Sequence, residues 1–298
     1  MTAQDRVAAT GTQPDTRSAF RRWAAPLVPL ERIAIFRTFI YLFLIANTFF
    51  ILNDPPALAN VPADLYQPII LRQVLHLPAP NVPYVTVLHI VLVVSALIAA
   101  SGRLPRIAGT VALLAFVDWA TIGYSFTKVD HDQYAFFVTL LVLPLAGQAK
   151  WGDRTLSEAA GFTLRAVHVG VVLCYFLSAW AKMRYGGWGW ANKVVIGWAF
   201  ARRGTDFAQW LLTFPWFPRF GQWLMLIAEF GSPILLFLRK RWLAVAVLFF
   251  CGFHLFTFLT LEIHFLPLVI CLLSFAPLEK VFGIDSRLGQ AITSRRPT

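Results

Sequence analysis

The sequence predicts an all-α fold: a polytopic bundle of about eight transmembrane helices with both termini in the cytoplasm. Composition is the first reason, because 58% of the 298 residues are hydrophobic and only 14% are charged, whereas soluble domains are about 25% charged. The second reason is that apolar segments long enough to cross a bilayer recur along the chain. The third is that basic residues gather in short loops between these segments, as the positive-inside rule requires.

The two ends of the chain are predicted to be tails. Residues 1–30 are polar and rich in Thr, Arg and Ala, and we expect a disordered cytoplasmic segment there. Residues 31–278 form a single transmembrane domain, and residues 279–298 form a second cytoplasmic tail. Stretches outside the apolar segments are too short for a further folded domain. We therefore expect an integral, multi-pass protein of the plasma (inner) membrane, with the lipid bilayer as its first partner.

Eight predicted spans set the order of the bundle: residues 33–52, 84–101, 107–124, 134–146, 166–183, 222–238, 242–260 and 263–275. This order puts both tails and most of the basic loops on the cytoplasmic side. Residues 53–83 then form an outer loop, whose many prolines allow only a short interfacial helix near residues 67–77. Residues 184–220 form a second outer connection, and its five tryptophans predict a segment that lies along the headgroups and roofs a cavity.

Two classes of function are excluded by the charges and the cysteines. The net charge of +11 would suit nucleic acid, but the basic residues sit beside membrane spans, so we expect no nucleic-acid partner. Cys174, Cys251 and Cys271 lie inside apolar segments without the spacing of metal ligands, and we expect inert core cysteines and no metal.

Residues 174–190 are the stretch around which the function is predicted. An apolar helix there ends in one lysine, Lys182, and a stretch rich in glycine and tryptophan, including Trp188, follows at once. Lys182 could simply extend its ammonium to the headgroups. However, Tyr175 and Ser178 lie on the same helix face as Lys182, and a polar stripe on a membrane helix usually faces protein or a water-filled cavity.

Ionisable residues from four predicted spans fall in the outer half of the membrane, and the outer loops add His131, Asp132, Glu262 and His264. A buried proton-handling site is the function that such a layer favours, provided that the topology is correct. Each residue also has a structural alternative, such as a carboxyl group hydrogen-bonded to a neighbouring helix or a core histidine. We predict Lys182, Glu229 and His254 as catalytic residues, and as cavity residues Asp118, Tyr175, Ser178, Trp188, His131 and Asp132.

Several weak motifs, in order, resemble a known family. Residues 174–182 run into A-K-M, a tryptophan-rich connection follows, and then come L-I-A-E-F-G-S-P-I-L-L at 226–236 and F-C-G-F-H-L-F at 250–256. Together they resemble the HTTM domain, the membrane domain shared by vitamin K-dependent gamma-carboxylases and bacterial relatives. The arrangement extends over residues 31–279 and is specific over residues 163–275.

The resemblance implies roles for individual residues. Lys182 matches the carboxylase lysine taken to be the base that acts on vitamin K hydroquinone, and Glu229 matches an acidic residue on the next helix. His254 matches the histidine of the family's F-H pair, whereas residues 130–132 match its polar loop only loosely. The carboxylases continue into a large lumenal domain that holds the protein substrate. This sequence has no counterpart of that domain, which weakens the expectation of glutamate carboxylation.

Three functions follow as alternatives. The chain could be an enzyme, carboxylase-like or a quinone-linked oxidoreductase, that uses a quinone or hydroquinone, with Lys182 made neutral by desolvation as its base. It could be a non-catalytic membrane subunit whose polar layer holds helices together or binds a partner protein. It could also be a maturation factor for a secreted peptide. A transporter is less favoured, because the sequence shows no paired inverted halves with broken helices.

Overall fold

The computed structural model describes residues 16–52 and 54–283 of the chain. Its regular structure is almost wholly helical, as predicted. The first seven helices are α1 Ala19–Ala24, α2 Leu30–Phe50, α3 Pro55–Leu58, α4 Ile70–Val74, α5 Val82–Ala100, α6 Pro105–Tyr124 and α7 Tyr134–Val142. The next seven are α8 Glu158–Gly186, α9 Val195–Arg203, α10 Asp206–Leu212, α11 Phe217–Gly231, α12 Lys240–Leu261, α13 Leu266–Cys271 and α14 Leu278–Val281. Two short strands, β1 Val28–Pro29 and β2 Leu156–Ser157, pair antiparallel.

Five of the described helices are long and apolar enough to cross a membrane: α2, α5, α6, α8 and α12. This confirms the class of the protein at the level of a helical membrane bundle. The other three predicted spans are shorter α-helices, α7, α11 and α13, and each continues as a 3₁₀ segment. Pro144 and Pro233 lie in the first two of these segments, where a residue without an N–H ends the α-helical hydrogen-bond pattern.

Helix α2 lies at the centre of the bundle and is buried on several faces, since the consecutive residues Ile33, Ala34, Ile35 and Phe36 are all 0% exposed. The α5–α6 hairpin packs on one side of it, and α7 packs against α8. Gly170 permits that second contact, because a Cβ at this position would lie 3.0 Å from Val138 Cγ1. Helix α11 packs on α8 further along, which brings their polar faces together.

The residues before α2 are folded, and the prediction of a disordered tail is wrong for residues 19–30. Helix α1 packs against α8, and strand β1 pairs with β2 at the start of the same helix. Arg17 and Arg21 both form ion pairs with Glu158, which is 137 residues further along the chain from Arg21. Composition showed a polar segment but could not show this distant carboxylate. Residues 1–15 lie outside the described part of the chain.

The predicted C-terminal tail also begins with structure. Helix α14 packs on α2, and Arg32 donates two hydrogen bonds, of 2.8 and 2.7 Å, to the carboxylate of Glu279. Residues 279–281 are therefore packed against the bundle, and the cytoplasmic location of the tail stays a prediction. Residues 284–298 lie outside the described part of the chain.

The two long connections form short helices. The proline-rich loop holds α3, a 3₁₀ turn at Ala63–Leu65 and α4, which is shorter than the predicted range of residues 67–77. The tryptophan-rich connection folds into a 3₁₀ turn at Trp190–Asn192 followed by α9 and α10.

Candidate functional site

Helix α8 carries the polar stripe. It begins at Ser157, whose hydroxyl accepts from the N–H of Ala160, and it ends at Gly187, which has a φ of +77° that glycine adopts readily. Between these ends, Tyr175 and Ser178 point with Lys182 towards α11 and α12, where their partners lie. The three side chains therefore lie on one face of α8, as their spacing in the sequence predicted.

Lys182 lies between a hydroxyl and a carboxylate. Its Nζ is 2.8 Å from Ser178 Oγ, and 2.7 and 2.5 Å from the two oxygens of Glu229. The Lys182 side chain is 20% exposed and that of Glu229 only 7%, so the pair is largely withdrawn from water. A proton on the Lys182 amine therefore has two kinds of acceptor within reach, the hydroxyl oxygen of Ser178 and the carboxylate of Glu229.

Trp190 covers the ion pair. The Lys182 ammonium lies 5.8 Å from the centre of the Trp190 ring, within the range of a cation–π contact. Gln222 on α11 fixes this part of the connection, because its amide donates to the carbonyl of Trp190 at 2.6 Å and to that of Lys193 at 2.9 Å. The Gln222 carbonyl accepts from the N–H of Ile196 at 3.0 Å.

His254 belongs to a second polar group on the same face of α8. Its Nε2 is 2.7 Å from the hydroxyl oxygen of Tyr175, and the two rings are stacked. Its Nδ1 is buried and has no hydrogen-bond partner among the described residues. Phe265 packs against the ring from the side of α13, so the imidazole lies in a mainly apolar setting.

A cavity of about 650 Å³ lies beside Lys182, between α8 and the segment that joins α6 to α7. Its wall is mostly apolar and aromatic, and it includes Tyr124, His131, Tyr134, Leu177, Ser178 and Lys182. The hydroxyl of Tyr124 is buried without a hydrogen-bond partner among the described residues. The cavity therefore combines apolar walls with an amine, three hydroxyl groups, an imidazole and the carboxylate of Asp130. Mainly apolar walls with a few polar groups are typical of small-molecule sites.

The loop between α6 and α7 holds two titratable residues with shifted pKa values, His131 and Asp132. Burial first, and then the positive charges of Lys182 and Lys128, lower the pKa of His131, so this imidazole is neutral near pH 7. Burial together with the charge of Asp130 raises the pKa of Asp132 to about 6. Both predicted loop residues are thus in low-polarity surroundings, although only His131 reaches the cavity wall.

Asp118 does not join this group, and its prediction as a cavity residue is wrong. Its carboxylate accepts a 2.5 Å hydrogen bond from Arg72 and another from the hydroxyl of Tyr84. Arg72 is buried and also donates to Thr121 and to the carbonyl of Pro78, which ties the proline-rich loop to α6. The prediction compared the depths of Asp118 and Lys182 along their spans. Depth does not determine the direction in which the Asp118 side chain points from its helix.

Two further details of the predicted site differ in the structure. Trp188 is 83% exposed and is not among the lining residues of the cavity, whereas Trp190 is only 9% exposed and lies over Lys182. Of the predicted catalytic residues, Lys182 lines the cavity, whereas Glu229 and His254 are not among the lining residues that the described chain provides. Glu229 contacts Lys182 and His254 contacts Tyr175, both from outside the cavity wall.

Sequence reasoning missed four residues of this region: Trp190, Gln222, Tyr124 and Arg72. Gln222 had a usable signal, because a glutamine inside an apolar segment requires hydrogen-bond partners. For Trp190, Tyr124 and Arg72 no local signal existed, since an arginine in a predicted loop can be hydrated. Within residues 16–52 and 54–283, no cluster of three or more His, Cys, Asp or Glu side chains is arranged to hold a metal ion.

Comparison of the chain with protein-family models, with curated proteins and with solved structures found no match in any of the three. The resemblance to the HTTM domain therefore remains a prediction from the sequence motifs.

Proposed function

We propose that this chain is a multi-pass membrane protein that binds a lipid-soluble molecule with a weakly acidic hydroxyl group, and that Lys182 removes the proton of that hydroxyl. A quinol is the chemical class that fits, and the reaction would be carboxylase-like or a quinone-linked oxidation. The observation that carries the proposal is the place of Lys182. Its amine lies at the wall of a cavity that is otherwise mainly apolar, and it is hydrogen-bonded to a carboxylate.

The proposal includes eight crossings of the membrane with both termini in the cytoplasm. Five described helices are long enough to span alone, and the other three crossings would be made by α7, α11 and α13 together with their 3₁₀ extensions. The basic loops support this orientation. It puts Lys182 and the tryptophan-rich connection at the outer face of the bilayer.

Entry from the bilayer is supported by the rim of the cavity. Tyr134 and Leu177 line it, lie in predicted spans and are 43% and 49% exposed on the bundle surface. In the proposed topology these side chains face lipid. A hydrophobic ligand could therefore reach Lys182 without passing through water.

Proton handling follows from the short contacts. Lys182 first passes a proton to Glu229, which leaves a neutral amine and a neutral carboxyl group. The amine of Lys182 then takes the hydroxyl proton of the ligand, so that an ammonium again faces the ligand oxygen and stabilises its negative charge. Ser178 holds the amine in place through both states, and the neutral His131 offers a further hydrogen bond at the cavity wall.

Binding of a short-tailed naphthoquinol to purified protein in lipid nanodiscs tests the proposal. We expect saturable quenching of tryptophan fluorescence, and we expect Lys182→Met to weaken binding roughly 10–100-fold through the loss of a charged hydrogen bond. Lys150→Met is the matched control, because Lys150 is exposed and lies outside the cavity wall. Equal affinity of the Lys182→Met variant and the wild type would overturn the role of the lysine.

A second candidate function is a non-catalytic subunit that binds a partner membrane protein or a secreted peptide. The observation in its favour is that Glu229 and Ser178 already satisfy Lys182 without any ligand. In that case the wild type and Lys182→Arg should co-purify with the partner and should not bind the quinol. Quinol binding by the wild type that is lost in the Lys182→Met/Glu229→Gln variant, in which no charge is left unpaired, favours the first function.

A further inference from the structure

We propose a second ligand site, at the other end of the tryptophan-rich connection: a site for one anionic phospholipid, with its headgroup between Lys193 and Arg219 and an acyl chain in an apolar slot beside α11. The proposal does not depend on the quinol site. It rests on two adjoining cavities, one with two cations in its wall and one with no charged residue, that share the side chains of Pro218 and Phe220.

The first cavity, of about 780 Å³, lies between the start of α9 and the start of α11. Its wall includes Asn192, Lys193, Trp216 and Arg219. Arg219 donates a long hydrogen bond, 3.4 Å, to the carbonyl of Asn192, the residue before Lys193, so both cations are held in the same region. Lys193 Nζ uses one donor on the carbonyl of Gly186 and retains two.

The charge of this cavity is uncompensated. Within residues 16–52 and 54–283, neither Lys193 nor Arg219 forms an ion pair with a carboxylate. The whole connection, residues 184–220, contains five basic residues and Asp206 as its single acid. Exposed tryptophans beside the cations, such as Trp216, are typical of a surface that lies at the headgroup level.

The second cavity is an apolar slot of about 320 Å³ between α9, α11 and α12. Phenylalanines dominate its wall, including Phe200, Phe217, Phe253 and Phe256. Thr257 and Thr260 also line it, but their hydroxyls donate to carbonyls of their own helix at 2.9 and 2.8 Å. The slot therefore offers a ligand no free polar group, which suits a hydrocarbon chain.

An amphiphile with a phosphate headgroup matches the pair of cavities, because a phosphate complements two free cations and its chain fills the slot. A free phosphate would use the first cavity alone. A neutral zwitterionic lipid would fill the slot but would gain less from Lys193 and Arg219, since its own cation opposes them. Charge complementarity together with the apolar extension thus favours an anionic lipid.

The test counts lipids that remain bound to the full chain by native mass spectrometry, with short-chain phosphatidylglycerol and phosphatidylcholine of the same chain length as probes. We expect the wild type to hold one phosphatidylglycerol roughly tenfold more tightly than phosphatidylcholine. The Lys193→Gln/Arg219→Gln variant should lose this preference. Arg203→Gln removes a cation of the same connection outside both cavities and should keep it.

Filling the slot tests the chain-binding half of the site. Gly221 lines the slot, and a Cβ added there meets no atom within 4 Å, so Gly221→Leu should fold and should bind both lipids at least tenfold more weakly. Gly252→Leu is the matched control, because a Cβ there also meets open space and Gly252 lies outside the slot. The proposal is overturned if Gly221→Leu binds phosphatidylglycerol normally, or if the double variant keeps the preference. It is also overturned if inorganic phosphate displaces the lipid at equal concentration.

Discussion

The side-chain amide of Gln222 donates a 2.6 Å hydrogen bond to the carbonyl of Trp190, and the Trp190 ring lies 5.8 Å from the ammonium of Lys182. One glutamine on α11 thus sets the position of the residue that covers the ion pair between α8 and α11. Because Gln222 is buried, its three hydrogen bonds have no competition from water. The cover over Lys182 is consequently part of the helix packing and not an independent loop.

Gln222→Leu should therefore loosen the connection. The change leaves the Lys193 carbonyl and the Ile196 N–H without the partner that Gln222 supplies, at a cost of about 1–3 kcal/mol for each group that stays buried. The Trp190 carbonyl loses one of its two hydrogen bonds and keeps the one from the Lys193 N–H. We expect faster trypsin cleavage after Lys193, Arg202 and Arg203, measured by mass spectrometry of the fragments. Gln148→Leu, at an exposed position, is the control. An unchanged cleavage rate at all three sites would contradict the positioning role of Gln222.

Lys182 and Glu229 should behave as a coupled pair. Lys182→Met leaves a buried carboxylate without its cation, and we expect the free energy of unfolding to fall by about 3–5 kcal/mol. Adding Glu229→Gln removes the unpaired charge, so the double variant should recover part of that loss. Unfolding in detergent, followed by circular dichroism, measures the cycle. Strictly additive losses would mean that the two side chains do not interact in the folded protein.

Asp132 should make stability depend on pH with a defined sign. Its pKa in the folded protein is raised to about 6, whereas an unfolded aspartate titrates near 3.9, so the folded state binds the proton more tightly. The wild type should gain stability relative to Asp132→Asn as the pH falls from about 7 to about 4. At pH 7.5 the Asn variant should be the more stable by up to about 3 kcal/mol. Melting temperatures of both proteins, measured across this pH range, test the prediction. A difference in melting temperature that stays constant with pH contradicts the raised pKa of Asp132.

The orientation in the membrane predicts opposite labelling of two positions. A cysteine in place of Pro80, in the first outer loop, should react with a membrane-impermeant thiol reagent added to intact cells. A cysteine in place of Thr298 should react only after the cells are opened. The parent chain, with its three own cysteines, provides the background. Labelling of Thr298→Cys alone in intact cells would reverse the proposed orientation.

The local part of the site was predictable from the sequence, whereas the contacts between helices were only partly so. Ser178 and Lys182 are four residues apart on one helix, and helix geometry alone puts them together. Glu229 and Asp118 were both placed at a matching depth. Only Glu229 lies beside Lys182, because depth does not specify rotation about the helix axis, and Asp118 points towards Arg72.

The wrong predictions for Trp188 and for residues 19–30 have a similar cause, since both depend on contacts that local sequence does not show. Trp188 and Trp190 differ by two positions, and the 3₁₀ turn that starts at Trp190 decides which ring faces the bundle. The fold of residues 19–30 depends on Glu158, far along the chain, and no pattern inside the segment reveals that partner. The five membrane-length helices, in contrast, follow from local hydropathy, and the sequence predicts each of them.

The ion pair between Arg32 and Glu279 has a consequence for the biosynthesis of the protein. These residues are 247 positions apart, so α2 acquires its last neighbour only after the ribosome has passed position 279. A chain that stops before position 279 lacks this carboxylate, and α2 then lacks the contact with α14. The packing of the central helix is therefore completed only when the last described helix has been synthesised.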